Sequence, residues 1–249
     1  MPGSASLPLR GLKAVIFDMD GVITQTASVH AAAWKRTFDG FLAARAGPGA
    51  SFRPFDDADY LRYVDGKPRY DGVAAFLASR GISLPWGSPE DPAGYDSVCA
   101  IGNKKDLYFA EALESQPVRV FESTIDFIRR LKDEGIAVGV FSASRHAREV
   151  LQKAGVLSLF DARVDGTDAA GLGLPGKPDP ATLVELARRL GARPAECAVV
   201  EDAIAGVQAG RAGGFAAVIG INRSGPPGFL REAGATIEVR DLSELEMSR

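Results

Sequence analysis

Three pairs of polar residues follow directly on apolar runs, and their types suit the holding of a cation: Asp18 with Asp20, Ser142 with Ser144, and Glu201 with Asp202. Four carboxylates brought to one place would repel and raise one another's pKa unless a cation neutralised them. Every one of these groups offers oxygen, which selects a hard ion such as Mg²⁺. Lys177, just ahead of a helix start at Asp179-Pro180, adds a fixed positive charge. A hydroxyl, a lysine, a magnesium ion and a spare carboxylate suit a transferring phosphoryl group, whose developing charge is stabilised chiefly by electrostatics. An isolated DxDG such as Asp18-Met19-Asp20-Gly21 is also a common turn, with Asp side chains bonding nearby amides. What favours chemistry is that three such sets converge.

Convergence requires a scaffold. Ala14-Val15-Ile16-Phe17 is an unbroken apolar run, as expected of a strand buried on both faces in a parallel sheet. Ile136 to Phe141, Ala198 to Val200 and Phe215 to Ile219 read the same way, and Ala162 to Val164 reads as a short strand. Between them lie helical patterns: Ile125, Ile128 and Leu131 up to Gly135, Val150, Leu151 and Ala154 up to Gly155, and a helix from Asp179-Pro180 to Leu190-Gly191. Strands alternating with helices of this length predict a doubly wound parallel α/β sheet, whose ligands gather outside the carboxyl ends of the strands. Residues 26–115 break the alternation. Val29, Ala33, Trp34, Phe38, Phe41 and Leu42 repeat at helical spacing up to Gly47-Pro48-Gly49; Val73, Phe76 and Leu77 mark a second helix ending at Gly81. A Pro- and Gly-rich loop covers 82–94, and helical spacing resumes around Leu107, Ala110 and Leu113. The expected organisation is therefore a Rossmann-like core, residues 1–25 and 116–249, with an α-helical cap, residues 26–115, inserted after its first strand.

Composition narrows the partners. The 249 residues carry a net charge of -3, with no basic footprint for nucleic acid or an anionic membrane surface. No apolar run approaches the ~18 residues needed to cross a bilayer, and residues 1–10 lack the apolar core of a secretion signal, so a cytoplasmic location is expected. Cys99 and Cys197 are far apart and form no CxxC; with only His30 and His146, a histidine-rich metal site is excluded.

At these residues the chain resembles the haloacid dehalogenase superfamily, and within it the β-phosphoglucomutase-like group. Asp18-Met19-Asp20-Gly21-Val22-Ile23-Thr24 is similar to the first motif of the superfamily, Ser142-Ala143-Ser144 to the second, Gly176-Lys177-Pro178 to the third and Glu201-Asp202 to the fourth. Thr26, His30 and Trp34, with Gly66-Lys67-Pro68-Arg69 and Lys105, match the mutase group. The resemblance implies that Asp18 is the nucleophile that becomes an aspartyl phosphate and Asp20 the general acid and base. It gives Mg²⁺ to Asp18, the Asp20 carbonyl, Glu201 and Asp202, and phosphate contacts to Ser142, Ala143, Ser144 and Lys177. It assigns Thr26, His30, Trp34, Gly66, Arg69 and Lys105 to substrate, with His30 steering Asp20. The expected reaction converts glucose 1-phosphate to glucose 6-phosphate through a hexose 1,6-bisphosphate, or else hydrolyses a small phosphorylated sugar. A monomer is expected.

Departures fall on specificity rather than on phosphoryl chemistry. Gln25 replaces a usual Asp, Asp106 a common Asn, and Glu122-Ser123 a frequent Pro-Gly, while 46–60 and 82–95 read as insertions. Asp106 would repel a second phosphate but could bond sugar hydroxyls. Gly171-Leu172-Gly173-Leu174-Pro175-Gly176-Lys177 imitates a nucleotide loop, yet Pro178 stands where a hydroxyl would hold Mg²⁺ and Pro175 removes an amide from any phosphate cradle. Ser142, Ser144 and His146 lack a third group to orient the histidine, and Trp34 with Phe38 also fits a helix's core stripe.

Overall fold

Strands whose every side chain is apolar need cover on both faces, and the chain supplies it by stacking helices against a parallel sheet. The computed structural model describes residues 5–47, 49, 51–223 and 225–249. The chain divides into two compact units, Met1–Gln25 with Val118–Arg249, and Thr26–Pro117.

In the first unit, β1 (Ala5–Pro8) pairs in parallel with the last strand, β8 (Leu245–Ser248), as a separate ribbon. The main sheet holds β2 (Ala14–Asp18), β3 (Ala137–Phe141), β4 (Ala162–Val164), β5 (Cys197–Glu201), β6 (Ala217–Ile221) and β7 (Ile237–Val239), all parallel, in the order β4-β3-β2-β5-β6-β7. All residues of β2, β5 and β6 are buried. The expected doubly wound α/β core is therefore present. One face packs Ile16, Val199 and Val218 against Leu183 and Leu186 of the helix Ala181–Arg189 and Val207 of the helix Ile204–Ala212. The chain leaves β2 toward β3 and β4 on one side and returns to β5, β6 and β7 on the other, so the order reverses between β2 and β5.

In the second unit, α1 (Ala27–Ala46), α2 (Asp57–Asp59) running into a π-turn at Tyr60–Val64, α3 (Arg69–Ser79) and α4 (Val98–Ser115) enclose an aromatic core. Trp34 stacks on Phe38 at 5.1 Å, and Phe38 meets Phe76 at 4.0 Å. Asp59 is buried between Arg53 and Arg80, 2.5 Å from each. Among the described residues this unit contains no strand.

Several local expectations shift. The last helix of this unit begins at Val98, and its buried stripe is Val98, Ile101, Lys105, Phe109 and Leu113; Leu107 points outward, 55% exposed. The stretch read as a loop over 82–94 is tied down by Val98 and Cys99 amides bonding the Pro85 and Trp86 carbonyls. Pro180 precedes the helix Ala181–Arg189 rather than opening it, while the Asp179 carboxylate accepts the Ala181 amide. Phe215 packs in the core ahead of β6 instead of starting it. The glycines at 171–173 lie at the end of a helix, Gly166–Leu172, where Gly173 (φ +63°) is a left-handed C-cap. A phosphate loop would precede a helix, so the nucleotide imitation is a helix stop. Pro48, in the turn read after α1, lies outside the described residues.

Candidate active site

Asp18 closes β2, Ser142 follows β3 and Glu201 closes β5, and because β2 lies between β3 and β5 these strand ends are neighbours on one edge, beside the point where the order reverses. Lys177, in the loop before the helix Ala181–Arg189 and joined to Pro178 by a cis peptide, reaches into this edge. Its Nζ donates to Asp18 Oδ1 at 2.6 Å and to Glu201 Oε1 at 2.5 Å, with all three side chains buried. The other Glu201 oxygen accepts the amides of Asp202 and Ala203, at 2.9 and 3.0 Å. Ser142 Oγ donates to Asp20 Oδ2 at 3.1 Å and accepts the Ser144 amide at 3.1 Å; Ser144 Oγ in turn accepts the His146 amide. Ala143 is exposed beside them. The strand ends thus gather Asp18, Asp20, Ser142, Lys177, Glu201 and Asp202. His146 begins a helix and pairs with Glu149 at 3.3 Å, outside any serine triad.

The electrostatics are unbalanced toward negative charge. Burial raises the Asp18 carboxyl well above its ordinary value; Lys177 pulls it back, and Glu201 and Asp20 push it further up. Burial alone would lower the Lys177 ammonium, but Asp18 and Glu201 outweigh it and hold it firmly protonated. One ammonium against this set of carboxylates leaves room for a cation. Oxygens of Asp18, Glu201 and Asp202 lie within 4.8 Å of one another. Space is kept open for them: a Cβ at Gly21 (φ +86°) would overlap Asp202 Oδ2, and one at Gly206 would overlap Glu201 Oε1. An all-oxygen set with spare negative charge fits a hard divalent ion such as Mg²⁺.

The residues expected in the helical unit form two clusters. His30 Nδ1 and Lys105 Nζ are 2.7 Å apart, the His30 ring stacks on Phe109 at 3.9 Å, and Lys105 Nζ lies 5.3 Å from the Trp34 ring. Trp34 is 4% exposed and belongs to the aromatic core; Thr26 is buried at the start of α1. Arg69, three residues after the left-handed Gly66 (φ +68°), pairs with Asp106 at 2.6 Å. Gly102 makes that approach possible, since a Cβ there would meet Tyr70 and the Arg69 stem. Asp106 therefore bonds a guanidinium in this structure, a contact that sequence reasoning did not foresee. Arg223 and Asp241, an ion pair at 2.8 Å beside the Gly21 turn, were also missed; isolated charges in loops carry no motif or periodicity.

A doubly wound parallel sheet with buried carboxylates and a lysine at its switch point, and a helical unit inserted after the strand that bears Asp18, is the architecture of an α/β enzyme. A family model described as haloacid dehalogenase-like hydrolase matches residues 12–214, and the chain belongs to that family, in its β-phosphoglucomutase-like group. It is 44% identical over 239 residues to a β-phosphoglucomutase of Mycobacterium bovis, covering 94% of this chain and 91% of the relative. It is 31% identical to the β-phosphoglucomutase of Bacillus subtilis, covering 95% and 92%. Among solved structures, a β-phosphoglucomutase from Clostridium difficile superposes with a TM-score of 0.72 at 23% identity, covering 94% and 92%, a likeness of fold.

Proposed function

We propose that the protein is a Mg²⁺-dependent β-phosphoglucomutase that converts glucose 1-phosphate to glucose 6-phosphate through a hexose 1,6-bisphosphate. The observation that carries the phosphoryl chemistry is the buried Asp18–Lys177–Glu201 cluster with Asp20 and Ser142 beside it; the kinship with β-phosphoglucomutases supports the substrate. Asp18, Glu201, Asp202 and the Asp20 carbonyl would hold Mg²⁺, which when bound supplies positive charge to the phosphoryl oxygens. Lys177 fixes one oxygen of Asp18 and orients the carboxylate toward phosphorus. In the first step an Asp18 oxygen bonds phosphorus, the bond from phosphorus to the substrate oxygen breaks, and Asp20 gives that oxygen a proton. In the second, a substrate hydroxyl loses its proton to Asp20 and takes the phosphoryl group from Asp18. Ser142, whose hydroxyl now rests on Asp20, is free to rotate its proton to a phosphoryl oxygen. Arg69 and Lys105 would hold the distal phosphate, with His30 beside Lys105 as a further substrate group.

A second reading, hydrolysis of a sugar phosphate by the same two-step route with water as acceptor, draws support from Asp106, which already engages Arg69. Product analysis separates the two. Glucose 1-phosphate supplied with Mg²⁺ and catalytic hexose 1,6-bisphosphate should yield glucose 6-phosphate; stoichiometric inorganic phosphate instead would identify a phosphatase.

A further inference from the structure

The turn that carries Asp20 is held by bonds from several directions. Ile23 and Thr24 amides bond the Met19 carbonyl, the Gly21 amide bonds the Thr24 carbonyl, Thr124 Oγ1 donates to the Val22 carbonyl at 2.8 Å, and the Phe121 amide to that of Ile23 at 2.9 Å. The Gly21 carbonyl is reached by a distant residue. Arg223, just after β6, points its Nε–H at that oxygen from 3.4 Å and lays its guanidinium 3.5 Å above the Phe121 ring. Its Nη1 donates to Asp241 Oδ2 at 2.8 Å, an oxygen that also accepts Ser123 Oγ–H at 2.8 Å, while Asp241 Oδ1 accepts the Ser243 amide at 3.0 Å. Glu122-Ser123 stands where a Pro-Gly is frequent in the group the chain resembles, so this chain has a side chain at position 123 to orient Asp241.

A guanidinium is planar, and a carboxylate at one edge with an aromatic ring under its face fixes both its position and its tilt. That fixed fork is what presents Nε–H to Gly21. Gly21 is also the residue whose Cα lies against the Asp202 carboxylate, so both Arg223 and Asp202 meet the turn at this one residue. A shift of this backbone moves Asp20 directly, because Asp20 is the adjoining residue.

We propose that Arg223 is a positioning residue for the reaction: held by Asp241 and the Phe121 ring, it pins the Gly21 carbonyl and so sets where Asp20 stands relative to Asp18. The proposal rests on the reading of Asp20 as the proton donor. Its signature is a dependence on the leaving group. An alkoxide needs a proton as its bond to phosphorus breaks, whereas a p-nitrophenolate leaves without one, so displacement of Asp20 should harm only the first.

The test compares kcat/KM, which covers steps up to release of the alcohol, for benzyl phosphate and p-nitrophenyl phosphate in saturating Mg²⁺. Arg223→Ala should lower the benzyl phosphate value roughly tenfold and the p-nitrophenyl phosphate value by less than about twofold. Arg223→Lys keeps a charge opposite Asp241 but has no rigid fork to reach both acceptors. It should show the same selectivity at smaller size, and it carries the comparison if the alanine variant does not fold. Asp20→Asn, measured alongside, should be more selective still. Equal losses on both esters, or no loss, in whichever Arg223 variant folds would overturn the positioning role while a selective Asp20→Asn left the proton donor in place. An unselective Asp20→Asn would remove the proton-donor reading and the proposal with it.

Discussion

Replacing Lys177 with Met tests whether the cluster at the strand ends is a charge-compensated unit. Lys177 Nζ lies 2.6 Å from Asp18 Oδ1 and 2.5 Å from Glu201 Oε1, and the three side chains are 4%, 7% and 0% exposed. Methionine keeps most of the length and removes the charge, leaving two buried carboxylates facing each other. Removing one partner of a buried pair costs about 3–5 kcal/mol. The protein has one relief, protonation of Asp18, whose carboxyl burial already raises; each unit by which that pKa falls short of the assay pH costs about 1.4 kcal/mol, which caps the loss. At roughly 2–4 °C per kcal/mol for a chain of this size, the metal-free melting temperature should fall by about 6–20 °C at pH 7. The loss should shrink as the pH is lowered, because protons then replace the ammonium, and it should shrink in Mg²⁺ for the same electrostatic reason. Calorimetry or far-ultraviolet circular dichroism is the suitable assay, since both tryptophans, Trp34 and Trp86, belong to the helical unit and their fluorescence follows that unit. A melting temperature in EDTA within about 2 °C of wild type, or an equal loss with and without Mg²⁺, would refute the compensation argument.

Asp18→Asn should act in the opposite direction on stability: a carboxyl raised in the fold is one whose ionised form the fold disfavours, so the neutral amide should raise the metal-free melting temperature at pH 7 while abolishing hydroxylamine-labile phosphoenzyme. A lower melting temperature in EDTA would contradict the sign. Gly206→Ala places a methyl group on Glu201 Oε1 and should abolish the thermal shift that Mg²⁺ produces; a wild-type shift would mean that Glu201 is not needed for the metal. Burial alone would raise the Asp241 carboxyl, but Ser243, Arg223 and Ser123 outweigh it and hold it well below the usual range. Its contribution is therefore present above the ordinary carboxylate pKa and lost as the pH falls through the depressed one, so Asp241→Asn should be less stable at pH 7 and converge with wild type in strong acid. Parallel unfolding curves across that range would remove Asp241 from the acid transition.

The parts of the fold that were readable are those in which burial leaves a mark on neighbouring residues. A strand covered on both faces must be apolar throughout, so Ala14–Phe17 and Cys197–Val200 stand out, and the acids that end them stand out for the same reason. The edge ribbon β1–β8 and the short strand β7 carry mixed patterns, with exposed Ser6 and Glu246 and half-buried Ile237 and Glu238, and give no such mark. Leu107 was misplaced because a leucine counts toward a helical stripe whether it faces in or out, whereas the stripe of that helix is completed by Lys105 and Gly102, which apolar counting passes over. The six residues gathered at the strand ends were legible because each terminates a strand or sits in a short motif. The ion pairs Arg69–Asp106 and Arg223–Asp241 join residues 37 and 18 positions apart in the sequence, the first from one helix to another, and only the folded chain brings them together.

Asp106 bears directly on the choice between mutase and phosphatase, and magnitudes decide how far. Its carboxylate holds Arg69 in an ion pair whose side chains are 15% and 31% exposed. A partly solvated pair of this kind is worth on the order of 1 kcal/mol, whereas a charge-assisted hydrogen bond from a guanidinium to an anion contributes about 1.5–3 kcal/mol. A phosphate dianion carries twice the charge of Asp106 and offers three oxygens to the fork of Arg69. It would therefore displace the carboxylate or share the guanidinium with it, at the expense of about the energy of the pair. If Arg69 holds a distal phosphate as proposed, Asp106 would weaken that hold by a modest factor without forbidding it, while a sugar hydroxyl, being neutral, would lack the charge to compete for Arg69 on those terms. The pair is compatible with a mutase that must release its bisphosphate far enough to turn it over, a step that too tight a cationic grip would slow.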